Sequence, residues 1–234
     1  MIKNEFIKRV LSAFIMAPIV LLIIIEGSIL FNFFILICFI ITAYEWLRMS
    51  KFDNQKIIGL FFIIISFYTI FRIRNDFNQD YFHILLIAII CVSTDTGGYF
   101  CGKLLKGPKL TKLSPNKTYA GVIGGFLFSI IITILFFKLT QKIYNFRFTE
   151  ETFIFVLFVS LVSQIGDIII SYFKRLSKIK DTGNIIPGHG GILDRIDGMI
   201  FAYPFSYIVF LNCNYQKKKK LQYLDQLDLL EKLY

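Results

Sequence analysis

The chain has 234 residues, of which 56% are hydrophobic and 17% aromatic, with a mean hydropathy of +0.64 and a formal net charge of +10. Several separate apolar runs reach the roughly 17 to 25 residues needed to cross a bilayer core, which excludes a soluble globular enzyme and predicts an all-α, polytopic transmembrane bundle. On such a chain the excess of 26 Lys and Arg over 16 Asp and Glu reads as topology, with basic loops on the cytoplasmic side, and nucleic acid is not an expected partner. Cys38, Cys91, Cys101 and Cys213 fall in or beside apolar segments without metal-ligand spacing, so they are expected to pack rather than react.

In chain order, Lys3, Lys8 and Arg9 precede a first span from about Val10 to Ile25, which places the N-terminus inside. No small-residue cleavage site follows, so this run reads as a spanning helix and not a signal peptide. Glu26-Gly27-Ser28 turns the chain into a second span, Ile29 to Leu47, and Arg48, Lys51 and Lys56 mark the next loop as cytoplasmic. A third span covers Ile57 to Phe71. A loop of mixed charge with Arg72, Arg74, Asp76 and Asp80 then leads to a fourth, from Tyr81 to about Thr94.

The fourth span is expected to end in Asp95-Thr96-Gly97-Gly98-Tyr99-Phe100, followed by a loop with Lys103, Lys106, Lys109, Lys112 and Lys117. Positive-inside topology accounts for the lysines but not for Asp95. A carboxylate near the end of an apolar helix is costly unless it faces a polar cavity or a partner, although a helix-end carboxylate can also simply reach water. Ser114 to Thr118 offers hydroxyl, amide and free N–H groups at a helix start, suited to an anion or to a cap. The fifth span, Gly121 to Phe137, carries Gly121, Gly124 and Gly125, a pattern that permits close helix approach.

The sixth span, Thr152 to about Phe173, places Ser160, Ser163, Gln164, Asp167, Ser171, Lys174 and Lys178 along one stripe of a helix. An interhelical hydrogen-bond seam accounts for the serines and the glutamine. Asp167 needs a cation in addition, either a lysine or a metal, and Asp194 is positioned in the chain to return to the same point. A short seventh span, Gly198 to Leu211, contains Pro204. The resulting picture is one integral domain of about seven spans over residues 1–213, with a polar site facing the cytoplasm, and a basic amphipathic tail over residues 214–234. Seven spans with the N-terminus inside put the basic tail outside, against the positive-inside rule. Either the count is off by one, or the tail lies on a membrane surface.

Between Ser171 and Asp197 the chain gathers Lys174, Arg175, Lys178, Lys180, Asp181, His189, Asp194, Arg195 and Asp197, with glycines at 183, 188, 190 and 191. Fixed positive charge suits phosphate oxygens, carboxylates suit a divalent cation, and glycines let backbone approach a ligand. This is the chemistry of a phosphate site.

The same stretch closely resembles the signature of phosphatidate cytidylyltransferases, integral membrane enzymes that form CDP-diacylglycerol. The pattern is met by Ser171, Lys174-Arg175, Lys180-Asp181, Pro187 to Gly191 and Asp194-Arg195-Ile196-Asp197. Asp95 to Phe100 with Gly102-Lys103, Ser114 to Thr118, and Gly166-Asp167 are similar to further parts of that pattern, so the likeness runs from about residue 93 to 205. The chain departs from it at Ile170 and Ala120, where the family usually has glutamate, and at Asn116, where it usually has lysine. It is also shorter than typical members, by an N-terminal span or two.

The resemblance implies CTP and phosphatidate as substrates, membrane lipids as surroundings, a homodimer, and a place in the inner membrane of a prokaryotic cell. It implies Mg2+ as cofactor, with a second, monovalent cation as a further candidate. Asp167 and Asp194 are then the Mg2+ ligands, with Asp95 and Asp197 completing or supporting the site. Lys117, Lys174, Arg175, Lys180 and Arg195 are the implied phosphate clamps, with Asp181 beside them in the catalytic set. Ser114, Thr118, Ser171, Gly188, Gly190 and Gly191 are the implied substrate contacts, and His189 either meets a phosphate or braces its loop. Two alternatives remain from the residues. A CTP-dependent polyprenol or phytol kinase would release CDP instead of pyrophosphate, and an ion transporter using Asp95 and Asp167 would leave the glycine-rich loop unexplained.

Overall fold

The computed structural model describes residues 2–76, 81–110, 117–144, 146–183, 185 and 190–213, with side chains from residue 14 onward. These residues form helices α1 (Ile2–Glu26), α2 (Ser28–Met49), α3 (Asp53–Asp76), α4 (Phe82–Leu105), α5 (Tyr119–Tyr144), α6 (Glu150–Leu176), α7 (Leu193–Ile196) and α8 (Met199–Cys213). No strand occurs among them, and Lys109 and Thr118 form an isolated bridge. Helices α2 to α6 are long and apolar enough to cross a membrane, while residues 14–26 of α1 and all of α8 are shorter apolar segments. The chain is a multi-pass membrane protein. Its outer faces agree with that, since side chains such as Ile29, Phe33, Ile57, Phe61 and Leu139 stand exposed, tolerable in hydrocarbon but not in water. The tail over residues 214–234 lies outside the described residues.

The fourth helix corrects the sequence reading. It does not stop at Thr94 but continues through Asp95 and the Gly97-Gly98 pair to Leu105. The cause is a seam of small residues against α5, where helix contact replaces the side chains that glycines lack. A methyl group added at Gly97 would lie 2.5 Å from the Gly124 carbonyl oxygen and 2.5 Å from Phe128 Cβ. One added at Gly121 would lie 2.8 Å from the Gly98 carbonyl oxygen, and one at Gly125 would lie 3.0 Å from that of Thr94. Two helical backbones therefore run almost in contact, and the packing outweighs the low helix propensity of Gly-Gly.

Neighbouring glycines in this seam are unequal. A Cβ at Gly98 would meet nothing closer than the Gly121 carbonyl oxygen at 3.5 Å, ordinary contact. Gly97→Ala should therefore lower the thermal unfolding midpoint in detergent by the equivalent of about 1 to 3 kcal/mol, through forced separation of the helices. Gly98→Ala should be neutral or stabilising by up to about 1 kcal/mol, through helix propensity. Equal midpoints for the two variants would refute this packing.

The centre of the bundle is held by polar ties to α8. Ser66 Oγ on α3 donates to the Ile200 carbonyl at 2.7 Å, and Tyr203 OH donates to the Ile84 carbonyl on α4 at 3.2 Å. Helix α8 continues through Pro204, as spanning helices can when neighbours satisfy the freed backbone. At one end of the bundle, Ser177 Oγ donates to the Met49 carbonyl at 2.6 Å, joining the C-terminal ends of α6 and α2. There too, Leu110 N–H donates to the Lys117 carbonyl at 2.8 Å, joining the end of α4 to the start of α5. The signature residues collect at this end.

Candidate active site

Along α6 the predicted polar stripe faces its neighbours. Ser160 Oγ accepts a hydrogen bond from Thr94 on α4 at 2.8 Å, and Ser163 stands against Gly198 at the start of α8. These two form the expected seam. One turn further, Asp167 finds its cation. Lys117, reaching across from just before α5, forms an ion pair with the Asp167 carboxylate and donates to the Gln164 carbonyl at 3.3 Å. Ser171 Oγ donates to Asp167 Oδ1 at 3.4 Å, one helical turn along. Asp95 on α4 is exposed and lies within electrostatic reach of Asp167, Lys117 and Arg195.

The next group on the stripe is Lys174, expected from the sequence to face phosphate. Its ammonium is buried between two carboxylates, 3.1 Å from Asp194 Oδ1 and 3.7 Å from Asp197 Oδ2. Burial pushes the Asp197 carboxyl well above the usual carboxylate range, helped by the nearby negative charge of Asp167 and opposed by Lys174. Asp194 is fully engaged. Beyond its bond from Lys174, its Oδ2 accepts the backbone N–H groups of Thr182 at 2.8 Å and Gly191 at 3.0 Å. Asp197, three residues after Asp194, comes close to Asp167. The short α7 separates them so that one acidic side chain ties the loop down while the other faces the α6 carboxylate.

Other predicted residues occupy distinct positions. Arg175, Lys180, Asp181 and Arg195 are exposed at this end of the bundle, and Arg175 donates to the Ile179 carbonyl at 3.3 Å. Thr118 caps α5, its Oγ1 accepting the Gly121 N–H at 3.1 Å. Gly190 takes a φ of +86°, and a Cβ there would lie 2.8 Å from Asp194 Oδ2, so glycine is required on two counts. Ser114, Gly188 and His189 lie outside the described residues. Lys178, the last member of the stripe, falls beyond the end of α6 in a left-handed conformation with φ +58°.

Two members escaped the sequence reading. Glu45 on α2 is almost fully buried, at 2% exposure, and accepts hydrogen bonds from Thr182 Oγ1 at 3.1 Å, Ile192 N–H at 3.1 Å and Leu193 N–H at 2.8 Å. Thr182 thereby bridges Glu45 and Asp194 through its side chain and its N–H. The signal for Glu45 was present, since an ionisable residue inside an otherwise apolar run is a functional candidate by default. Thr182 had none, because its importance comes from a contact across 137 residues of chain.

Residues 55–213 match the family model described as the cytidylyltransferase family, a span that runs from α3 through α8. The phosphatidate cytidylyltransferase of Rickettsia conorii is 35% identical over 215 residues, covering 89% of this chain and 91% of that protein. The chain belongs to the cytidylyltransferase family. The phosphatidate cytidylyltransferases of Rickettsia bellii and Bacillus subtilis are 35% and 37% identical, over 88% and 68% of this chain and over 91% and 59% of those proteins. The segment matched by the cytidylyltransferase model holds Asp95, Lys117, Asp167, Lys174, Asp194 and Asp197, and Glu45 precedes it.

Proposed function

We propose that this chain is a CTP:phosphatidate cytidylyltransferase, forming CDP-diacylglycerol and pyrophosphate in phospholipid biosynthesis. The observation that carries the reading is the gathering of Asp95, Asp167 and Asp197 with Lys117, Lys174 and the exposed Arg195 at one end of an apolar bundle. The names of the curated relatives supply the substrates. In the reaction a phosphate oxygen of phosphatidate forms a bond to the α-phosphorus of CTP, and the bond from that phosphorus to the bridging oxygen breaks as pyrophosphate leaves. Both reactants are anions, so the protein must neutralise charge and align them, and no covalent enzyme intermediate is needed.

The residues fit a Mg2+ ion. Among the described residues no three carboxylate, imidazole or thiol groups form a ready cage. Mg2+ does not require one, because it is held by one or two carboxylates together with waters and substrate phosphates. Asp167 and Asp197, which lie close together, would hold it with support from Asp95, and it would supply neutralisation of the triphosphate charge. Lys117 and Lys174 keep these carboxylates compatible with one another. Arg195, Lys180 and Arg175 stand exposed where anionic substrates arrive, and Asp194 orders the loop that carries Arg195. A second, monovalent cation, and a homodimer, belong to this reading by family resemblance. The basic residues at this end, Arg48, Lys51, Lys103 and Lys106 among them, support an orientation toward the cytoplasm, where CTP is available, in the inner membrane of a prokaryotic cell.

The test is product formation by the detergent-solubilised protein given Mg2+, CTP and phosphatidate. CDP-diacylglycerol and pyrophosphate are expected in equal amounts, and Asp194→Ala should reduce both by on the order of 100-fold or more. Release of CDP with a phosphorylated lipid alcohol would replace this reading with a kinase.

A further inference from the structure

Among the described residues Glu45 meets no lysine or arginine, although its carboxylate is buried. An anion in that setting persists only if hydrogen bonds replace its water, and the three it accepts all come from the loop ahead of Asp194. Glu45 and Asp194 grip the same piece of backbone. Asp194 takes the N–H groups of Thr182 and Gly191, while Glu45 takes the Thr182 hydroxyl and the N–H groups of Ile192 and Leu193. The two ends of the loop are thereby drawn together.

Two glycines record how close this approach is. A Cβ at Gly183 would lie 2.6 Å from Glu45 Oε1, and one at Gly191 would press on both Glu45 oxygens and on Thr182 Oγ1. Helix α2 is itself braced in the turn that follows Glu45. The Trp46 indole N–H donates to the Gln55 carbonyl at 3.2 Å, and its ring meets Phe173 of α6 edge-on with centroids 5.1 Å apart. The bond from Ser177 to the Met49 carbonyl ties down the end of the same helix.

We infer that Glu45 is the positioning residue of the catalytic loop. From α2 it latches Thr182, Ile192 and Leu193 in the arrangement that brings Asp194 to Lys174, and its catalytic consequence rests on the cytidylyltransferase reading above. The latch acts through other residues. It need not touch substrate, so its loss should lower turnover more than nucleotide affinity.

The experiment combines amide hydrogen exchange with steady-state kinetics on the full, detergent-solubilised chain. Glu45→Gln keeps the size of the side chain but turns one acceptor oxygen into a donor that must face another donor. Exchange at residues 190–194 is expected to quicken at least about 10-fold, with peptides from α4 and α5 unchanged. The kcat is expected to fall about 10- to 100-fold, with KM for CTP held within about twofold. Thr182→Val removes one of the three hydrogen bonds and should give a smaller change in the same direction, and it decides the matter if Glu45→Gln does not purify folded. Unchanged exchange in a folded variant overturns the latch, and faster exchange with unchanged kcat overturns its positioning role. Should the unaltered protein form no CDP-diacylglycerol, the reaction reading fails, and the exchange rates still decide whether the latch exists.

Discussion

Asp167→Asn should lower Mg2+-dependent turnover by on the order of 1,000-fold while the protein remains extractable and folded. Asparagine fits the same space on α6 and can still accept a hydrogen bond from Ser171, so the helix and its packing survive. What disappears is one negative charge that two partners use. Lys117 loses the carboxylate that holds it across the gap from α5, and Asp197 loses its neighbour in the proposed Mg2+ site. Raising Mg2+ should recover part of the activity, because one carboxylate would still be available to the ion. Activity within a fewfold of the unaltered protein, measured as CDP-diacylglycerol formed, would remove Asp167 from the site. Retained activity in Lys117→Met beside a dead Asp167→Asn would show that the ion pair matters less than the metal.

Lys174→Met should be the most destabilising single change at this end of the bundle. Methionine replaces the aliphatic stem but leaves Asp194 and Asp197 without the ammonium that lies between them. Removing one partner from a buried ionic cluster leaves an uncompensated charge, at a cost of about 3 to 5 kcal/mol. The loss should appear as a lowered thermal unfolding midpoint, and turnover should fall with it because the loop anchored by Asp194 loosens. Its sequence neighbour behaves differently. Arg175 is exposed and makes one bond to a carbonyl, so Arg175→Met should change stability by no more than about 0.5 kcal/mol. Similar unfolding midpoints for the two variants would contradict the burial of Lys174.

Together these variants separate two tasks that adjacent signature residues share in sequence. Lys174, Asp194 and Glu45 build the loop, whereas Asp167, Asp197 and Lys117 form the charged group proposed to meet the metal and phosphates. The first set should be read in stability and exchange, the second in Mg2+ and CTP dependence.

Much of the bundle was legible in the sequence alone. Apolar runs of spanning length located the membrane helices, because hydrocarbon imposes a length and a composition that few other environments demand. The stripe from Ser160 to Lys174 was readable because helical periodicity puts residues on one face whatever surrounds them. The signature residues identified the family for a similar reason, since phosphate chemistry requires charges and glycines that an apolar chain otherwise excludes. Partnership was decided only by the tertiary structure. Periodicity says that Asp167 and Lys174 share a face but not that one meets Lys117 and the other Asp194 and Asp197. Helix α4 outran its expected end because the seam that sustains Gly97 and Gly98 is made of α5 backbone, which no local pattern in α4 describes. Glu45 is the fullest case. Alone in α2 it is an isolated carboxylate in an apolar helix, and only the fold, by bringing Thr182, Ile192 and Leu193 to it, supplies the hydrogen bonds that make its burial possible.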